Sequence, residues 1–252
     1  MKAAAIHTLG AAAMYGGASE SAIEEIMDDL LDIIESDGTS IGAEDSGEVV
    51  TAACEEWAFL GTLIENMEEK TEAAIDAFVE QLESSDTSVL VAAGETIALL
   101  FERSYTPRES GDESASDEED EEGIPIDSSM VKRYEVYRQK GQLEHKISEL
   151  ASLSTKRISR KDRKVLHKSF SDILTTIEHP DRGPRYQNAI NEETGERYGS
   201  RLMIRFHDNH KHTRILINTW ELLHKLQALR RILGSGLTVH ILSNPIMHKN
   251  LP

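Results

Sequence analysis

The stretch KRISRKDRKVLHKSF, residues 156–170, gathers seven cations around the single acid Asp162: Lys156, Arg157, Arg160, Lys161, Arg163, Lys164 and Lys168. Cations at this density are the chemistry of phosphate contact, because each phosphate neutralised releases condensed counterions. No aromatic residue is interleaved among them, so the run reads as backbone contact with RNA rather than as base reading. Two other readings stand beside this one. Short Lys/Arg runs serve as nuclear import signals, and a basic run can neutralise an acidic region of the same molecule.

Other candidate chemistry is thinner. HDNHKH places His207, His210 and His212 around Asp208. Imidazoles at that spacing can hold zinc, but no further ligand-rich motif would close the site, so a polar turn and no metal are expected. The chain has no phosphate-cradling Gly-rich loop with Lys-Ser or Lys-Thr, no Gly-x-Ser-x-Gly elbow and no cysteine pair. The lone Cys54 reads as a small packing residue and excludes an internal disulfide. Trp220 reads as a core anchor. Carboxylates are abundant, but their positions on helices place them on solvated faces, so no catalytic pair is nominated. Neither enzyme, cofactor nor small-molecule substrate is expected.

The positive charge stands against an acidic background. Across 252 residues the formal net charge is -18, yet residues 1–122 hold 32 acids against Lys2, Lys70, Arg103 and Arg108, while residues 123–252 are basic by ten charges. A molecule so polarised declares something about partners rather than fold. No apolar run approaches the roughly 20 residues of a membrane span, and the opening MKAAAIHTLGAAAMYGG, broken by His7 and Thr8, reads as a packed helix rather than a signal peptide.

The elements that must position these residues are helical. Few aromatics, little proline and much Ala, Leu, Ile and Glu favour helix over sheet. Val50, Ala53, Trp57, Leu60 and Ile64 step by three and four, as do Leu90, Ala93, Ile97 and Leu100 forty residues later. Ile23, Ile26, Leu30 and Ile34 match Thr71, Ala74, Phe78 and Leu82 at a shift of 48. Stripes recurring in pairs every 40 to 50 residues predict a HEAT- or armadillo-like solenoid; an irregular bundle is the alternative. Ser21 with Glu24 fits a capping box. Residues 104–125, rich in Ser, Asp and Glu, read as a disordered acidic loop. Within it Ser110, Ser114 and Ser116 each have an acid three residues on, the pattern of an acidophilic kinase. Such a loop could cover the basic segment until nucleic acid displaces it.

Helix is predicted again from residue 128 to 153, and Leu166, Phe170, Ile173, Leu174 and Ile177 dock a further helix whose start carries the cations. Cations there oppose the helix dipole, so stability does not explain them. HPDRGPRYQN reads as a turn-rich linker, RLMIRF and RILINTW as a short β-hairpin, and TWELLHKLQALRRILG as a last helix with Lys225, Arg230 and Arg231 on its polar side, stopped at Gly234 or Gly236. The architecture expected is all-α: helical repeats over 1–103, an acidic loop over 104–127, helices completing the solenoid over 128–178 with the basic segment 156–168, and a small basic C-terminal domain over 179–252.

Three stretches resemble the interferon-related developmental regulator family: VAAGETIALLFE (91–102), SRKDRKVLHKSFSDIL (159–174) and WELLHKLQALRRILGSGLTVHILSNP (220–245). They stand in the family's order. The resemblance implies a helical-repeat domain followed by a family-specific C-terminal domain, with further repeats before residue 1. It implies one of two non-catalytic roles. The first is association with non-translating ribosomes at sites otherwise used by tRNA and mRNA, with rRNA phosphates and ribosomal proteins as partners in the cytoplasm. The second is a nuclear scaffold that recruits co-repressor proteins.

Overall fold

The structure is a computed structural model and describes residues 1–110, 112, 129–153, 159–192, 197–200, 202–207 and 212–244. Helices α1 (Lys2–Gly16), α3 (Gly47–Gly61), α5 (Thr87–Arg103) and α7 (Arg160–Glu178) stack in that order as one row. Helices α2 (Glu20–Glu35), α4 (Glu68–Gln81) and α6 (Lys140–Ser152) form the second layer, with α2 on α3 and α4, α4 on α5, and α6 on α7. This is the expected solenoid, and the 40- and 48-residue shifts are its repeat. α3 and α5 are buried nearly all round, as their alanine-rich apolar sequences require of central helices. α2 instead buries one stripe, Ile23, Met27, Leu30, Ile33 and Ile34, and turns its acids outward.

Close approach depends on small residues. A Cβ on Gly94 of α5 would lie 2.8 Å from Ile173 Cδ1 and 3.0 Å from Phe170 Cε1, so this glycine lets the apolar stripe of α7 seat directly on α5. Trp57 and Phe78 meet edge to face at 5.0 Å between α3 and α4.

Several local expectations are corrected. The cap of α2 is Ser19, whose side chain accepts from the Ala22 amide; three residues after Ser19 stands an alanine, so no capping box forms. Within the predicted helix 128–153, the described residues 129–139 are not helical. Met130–Lys132 (β2) instead pairs antiparallel with Tyr105–Pro107 (β1), and helix begins at Lys140. Tyr134 and Val136 pack inward at a spacing of two while Glu135 points out, the signature of extended chain. The turn-rich linker yields a strand as well: Tyr186–Ile190 (β3) pairs with Arg197–Ser200 (β4).

The predicted hairpin is present as Leu202–His207 (β5) and His212–Ile217 (β6). Helix α8 (Trp220–Leu233) ends at Gly234, φ +50, and the chain continues through a 3-10 turn into α9 (Leu237–Ser243). Phe206, Ile215 and Ile217 of the hairpin, Leu226 and Leu229 of α8, and Leu237 and Ile241 of α9 make a second, smaller core. Trp220 belongs to the main one. No helix of the described residues is long and apolar enough to cross a membrane.

Candidate nucleic-acid interface

The cations of α7 are sorted by the helix period. Leu166, Phe170, Ile173 and Ile177 are fully buried on one side. Arg160, Lys161, Lys164 and Lys168 are exposed, and 100° per residue puts them opposite that stripe. Val165, 41% exposed, lies among them. The four cations thus form a ridge about 12 Å long, from the rise of 1.5 Å per residue. Arg163 falls at the edge of the packing face and is half-buried. Lys156 and Arg157 lie outside the described residues.

The start of α7 is tied down locally. Ser159 Oγ accepts from the Asp162 amide at 3.1 Å and donates to the Asp162 carboxylate at 2.6 Å. The one acid in the basic run therefore sits in the first turn, where a negative charge offsets part of the cations' conflict with the dipole.

The β5–β6 hairpin adds cations that sequence reasoning missed. Arg205 stands directly opposite Arg214, and both are exposed. Like charges in direct cross-strand register destabilise a sheet. On the same face Met203 pairs with Leu216, 48% and 44% exposed. The signal was available in the alternation of RLMIRFH, whose outward positions are Met203, Arg205 and His207.

α8 is held against the solenoid by polar contacts. α8 lies across α5, α3 and α1. Its N-terminus is capped twice: Thr219 accepts from the Leu222 amide, and the Glu102 carboxylate of α5 accepts from the Trp220 and Glu221 amides at 2.7 and 2.9 Å. Burial pushes the Glu102 carboxyl up to about 7, against those two hydrogen bonds. Trp220 Nε1 donates to Thr176 Oγ1 at 2.7 Å, and that hydroxyl donates to the Arg182 carbonyl. Arg103 pairs with Glu221 and donates to the Ile64 and Glu65 carbonyls.

Farther along α8, Gln227 donates to Glu95, whose carboxyl burial raises to about 7. His224 lies against the Glu95 carbonyl, its imidazole pushed down to about 4 by burial. Arg231 closes the series, 2.9 Å from Glu56 and 3.3 Å from Glu55 of α3, and Glu56 also bonds His7 at 2.8 Å. Two expectations are corrected here. Glu56, Glu95 and Glu102 are not on solvated faces, because α8 covers them, and Arg231 belongs to the docking face of its helix.

Of the remaining sequence candidates, Ser110 is exposed, whereas Ser114 and Ser116 lie outside the described residues with nearly all of the acidic loop. His207 and His212 are register partners at the end of the hairpin; Asp208 and His210 lie outside the described residues. Among the described residues no group of three or more metal-ligating side chains converges. Cys54 is fully buried, which pushes its thiol well above the ordinary range.

The comparisons agree with this architecture. The family described as Interferon-related developmental regulator (IFRD) matches residues 1–178, which take in the solenoid and α7. An uncharacterized protein of Schizosaccharomyces pombe is 32% identical over 219 residues, 86% of this chain and 43% of its own length, so the chain spans under half of that relative. The chain belongs to the interferon-related developmental regulator family.

Proposed function

We propose that this protein is a non-enzymatic, ribosome-associated factor that represses translation by occupying RNA-lined sites of inactive ribosomes. The observation that carries the reading is the ridge of Arg160, Lys161, Lys164 and Lys168, presented on the side of α7 away from its packing stripe. Such a ridge serves rRNA phosphates, and the paired Arg205 and Arg214 extend the cationic surface onto the hairpin. The acids turned outward on α2 repel RNA, so they orient the molecule with that helix away from the phosphates and toward ribosomal proteins. On this reading the protein acts in the cytoplasm.

Sedimentation of lysate through sucrose at low and moderate salt tests this, comparing the intact chain with Arg160→Glu/Lys161→Glu/Lys164→Glu. Arg163 is spared because it is half-buried. The intact chain should travel with monosomes, with a log–log salt slope of about -3 from four phosphate contacts, and the variant should stay at the top. If the intact chain also stays at the top, the ribosome reading is lost. Salt-insensitive capture of co-repressor proteins would then favour the nuclear scaffold.

A further inference from the structure

An open cleft of ≈ 490 Å³ lies between α7, α8, β5 and the turn before β3. Three of its lining side chains are exposed cations from three separate segments: Lys168 on α7, Arg185 in the turn, and Arg230 on α8. Lys168 is also the last cation of the ridge, so the cleft opens where the ridge ends. Its apolar lining comes from Val165, Leu202, Ile204 and Leu223. Its polar lining is supplied by Ser169, Asp172, and the bonded pair Gln227 and Glu95, which leaves Asp172 as the carboxylate acceptor.

The turn that carries Arg185 is held in place. Arg185 has φ +56, a left-handed conformation that residues with a β-carbon rarely adopt. Its backbone N–H bonds the Asp172 carboxylate. Burial raises the Asp172 carboxyl, and the charges of Arg185 and Lys168 pull it partly back. Cations and a carboxylate thus share a single concavity.

We propose that this cleft is a single-nucleotide pocket for RNA that takes guanine. The inference deepens the ribosome reading and rests on it. The phosphate binds Lys168, Arg185 and Arg230, while Asp172 repels it from the interior. The base therefore enters and the backbone stays outside. Val165, Leu202, Ile204 and Leu223 cover the faces of the base. Guanine presents two adjacent donors, N1–H and N2–H, which match a carboxylate acceptor. Uracil presents one donor between two acceptors and meets repulsion there.

The test is fluorescence anisotropy at 50 mM salt with two labelled heptamers, UUUGUUU and UUUUUUU. The proteins compared are the intact chain, Asp172→Asn, Arg185→Glu/Arg230→Glu, and the ridge variant already described. Far-UV circular dichroism checks that each variant is folded. The intact chain should bind the guanine heptamer about tenfold tighter, the size of one good paired contact. Asp172→Asn should lose that preference while keeping the affinity for oligo-U. Arg185→Glu/Arg230→Glu should weaken both RNAs and abolish the preference. The ridge variant should weaken both RNAs and keep the preference. Equal binding of the two heptamers by the intact chain overturns the pocket and leaves the ribosome reading standing. No binding of either overturns both.

Discussion

Replacing Arg231 by Met keeps the aliphatic stem of α8 against the solenoid and removes only the guanidinium. Glu56, 2% exposed, then loses its 2.9 Å contact, and Glu55 loses its own at 3.3 Å. Breaking a buried pair by deleting one partner costs about 3–5 kcal/mol, because the remaining charge is stranded. Arg231 is 22% exposed and His7 still bonds Glu56, so solvent and the surviving contact reduce the figure. The Oε2 atom of Glu56 already accepts no hydrogen bond among the described residues, so no slack remains to absorb the loss. The expected cost is about 2–3 kcal/mol, or a fall in Tm of about 5–10 °C for a chain of this size. Urea unfolding followed by circular dichroism measures it. A cycle with Glu56→Gln should give a coupling of about 1–2 kcal/mol, since neutralising Glu56 first removes most of the penalty. A cost below about 0.5 kcal/mol, or no coupling, would refute the claim that this cluster holds α8 in place.

Three further outcomes follow from the same geometry. Glu95 and Glu102 both titrate near 7 in the folded chain, against an ordinary carboxyl value of 4.5, so they hold protons that the unfolded chain has released. Their contribution therefore falls as pH rises from 4.5 to 7. His224, pushed down to about 4, works the other way between pH 4 and 6.5, so the loss should be steepest between about pH 6 and 7; thermal melts over pH 5–8 should show it, and Glu102→Gln should flatten the slope. Gly183→Ala puts a Cβ 1.8 Å from the Asn218 carbonyl oxygen, backbone that cannot turn aside. The expected cost is about 2 kcal/mol or more, with a weakened near-ultraviolet signal from Trp220; unchanged stability would mean the β6–α8 junction is not packed as described. Asp86→Ala removes the side chain that accepts from the Ser88 amide at the start of α5 and should cost about 1 kcal/mol in urea unfolding.

What could be read in the sequence was whatever is written in local periodicity. The stripes of α3 and α5, the apolar side of α7 and the alternation of β5 all concern residues within a turn or two of each other, the forty-residue shift is the recurrence of one such stripe, and the structure has each of them. The segment 130–139 was misread because Tyr134 and Val136 also suit a helix, and only the pairing of β2 with β1 decides for extended chain. Glu56 and Arg231 are 175 residues apart. Nothing near Glu56 distinguishes it from a solvated glutamate until α8 is laid over it. The ridge on α7 was legible for the same reason as the stripes, being one helix. The cleft was not, since Lys168, Arg185 and Arg230 converge only through the docking of α8 and the left-handed turn at Arg185.

The placement of α8 across α1, α3 and α5 also sets the order in which the chain can mature. The repeats are built from near neighbours and can form as they are synthesised, but α3 then carries a carboxylate at Glu56 whose cationic partner is 175 residues downstream. Until residue 231 has emerged, that acid and the apolar flank around it face solvent, so the nascent solenoid passes through a stage that is folded yet uncovered. Contacts this remote in sequence slow the last step of assembly and lengthen the window in which a chaperone can hold the chain.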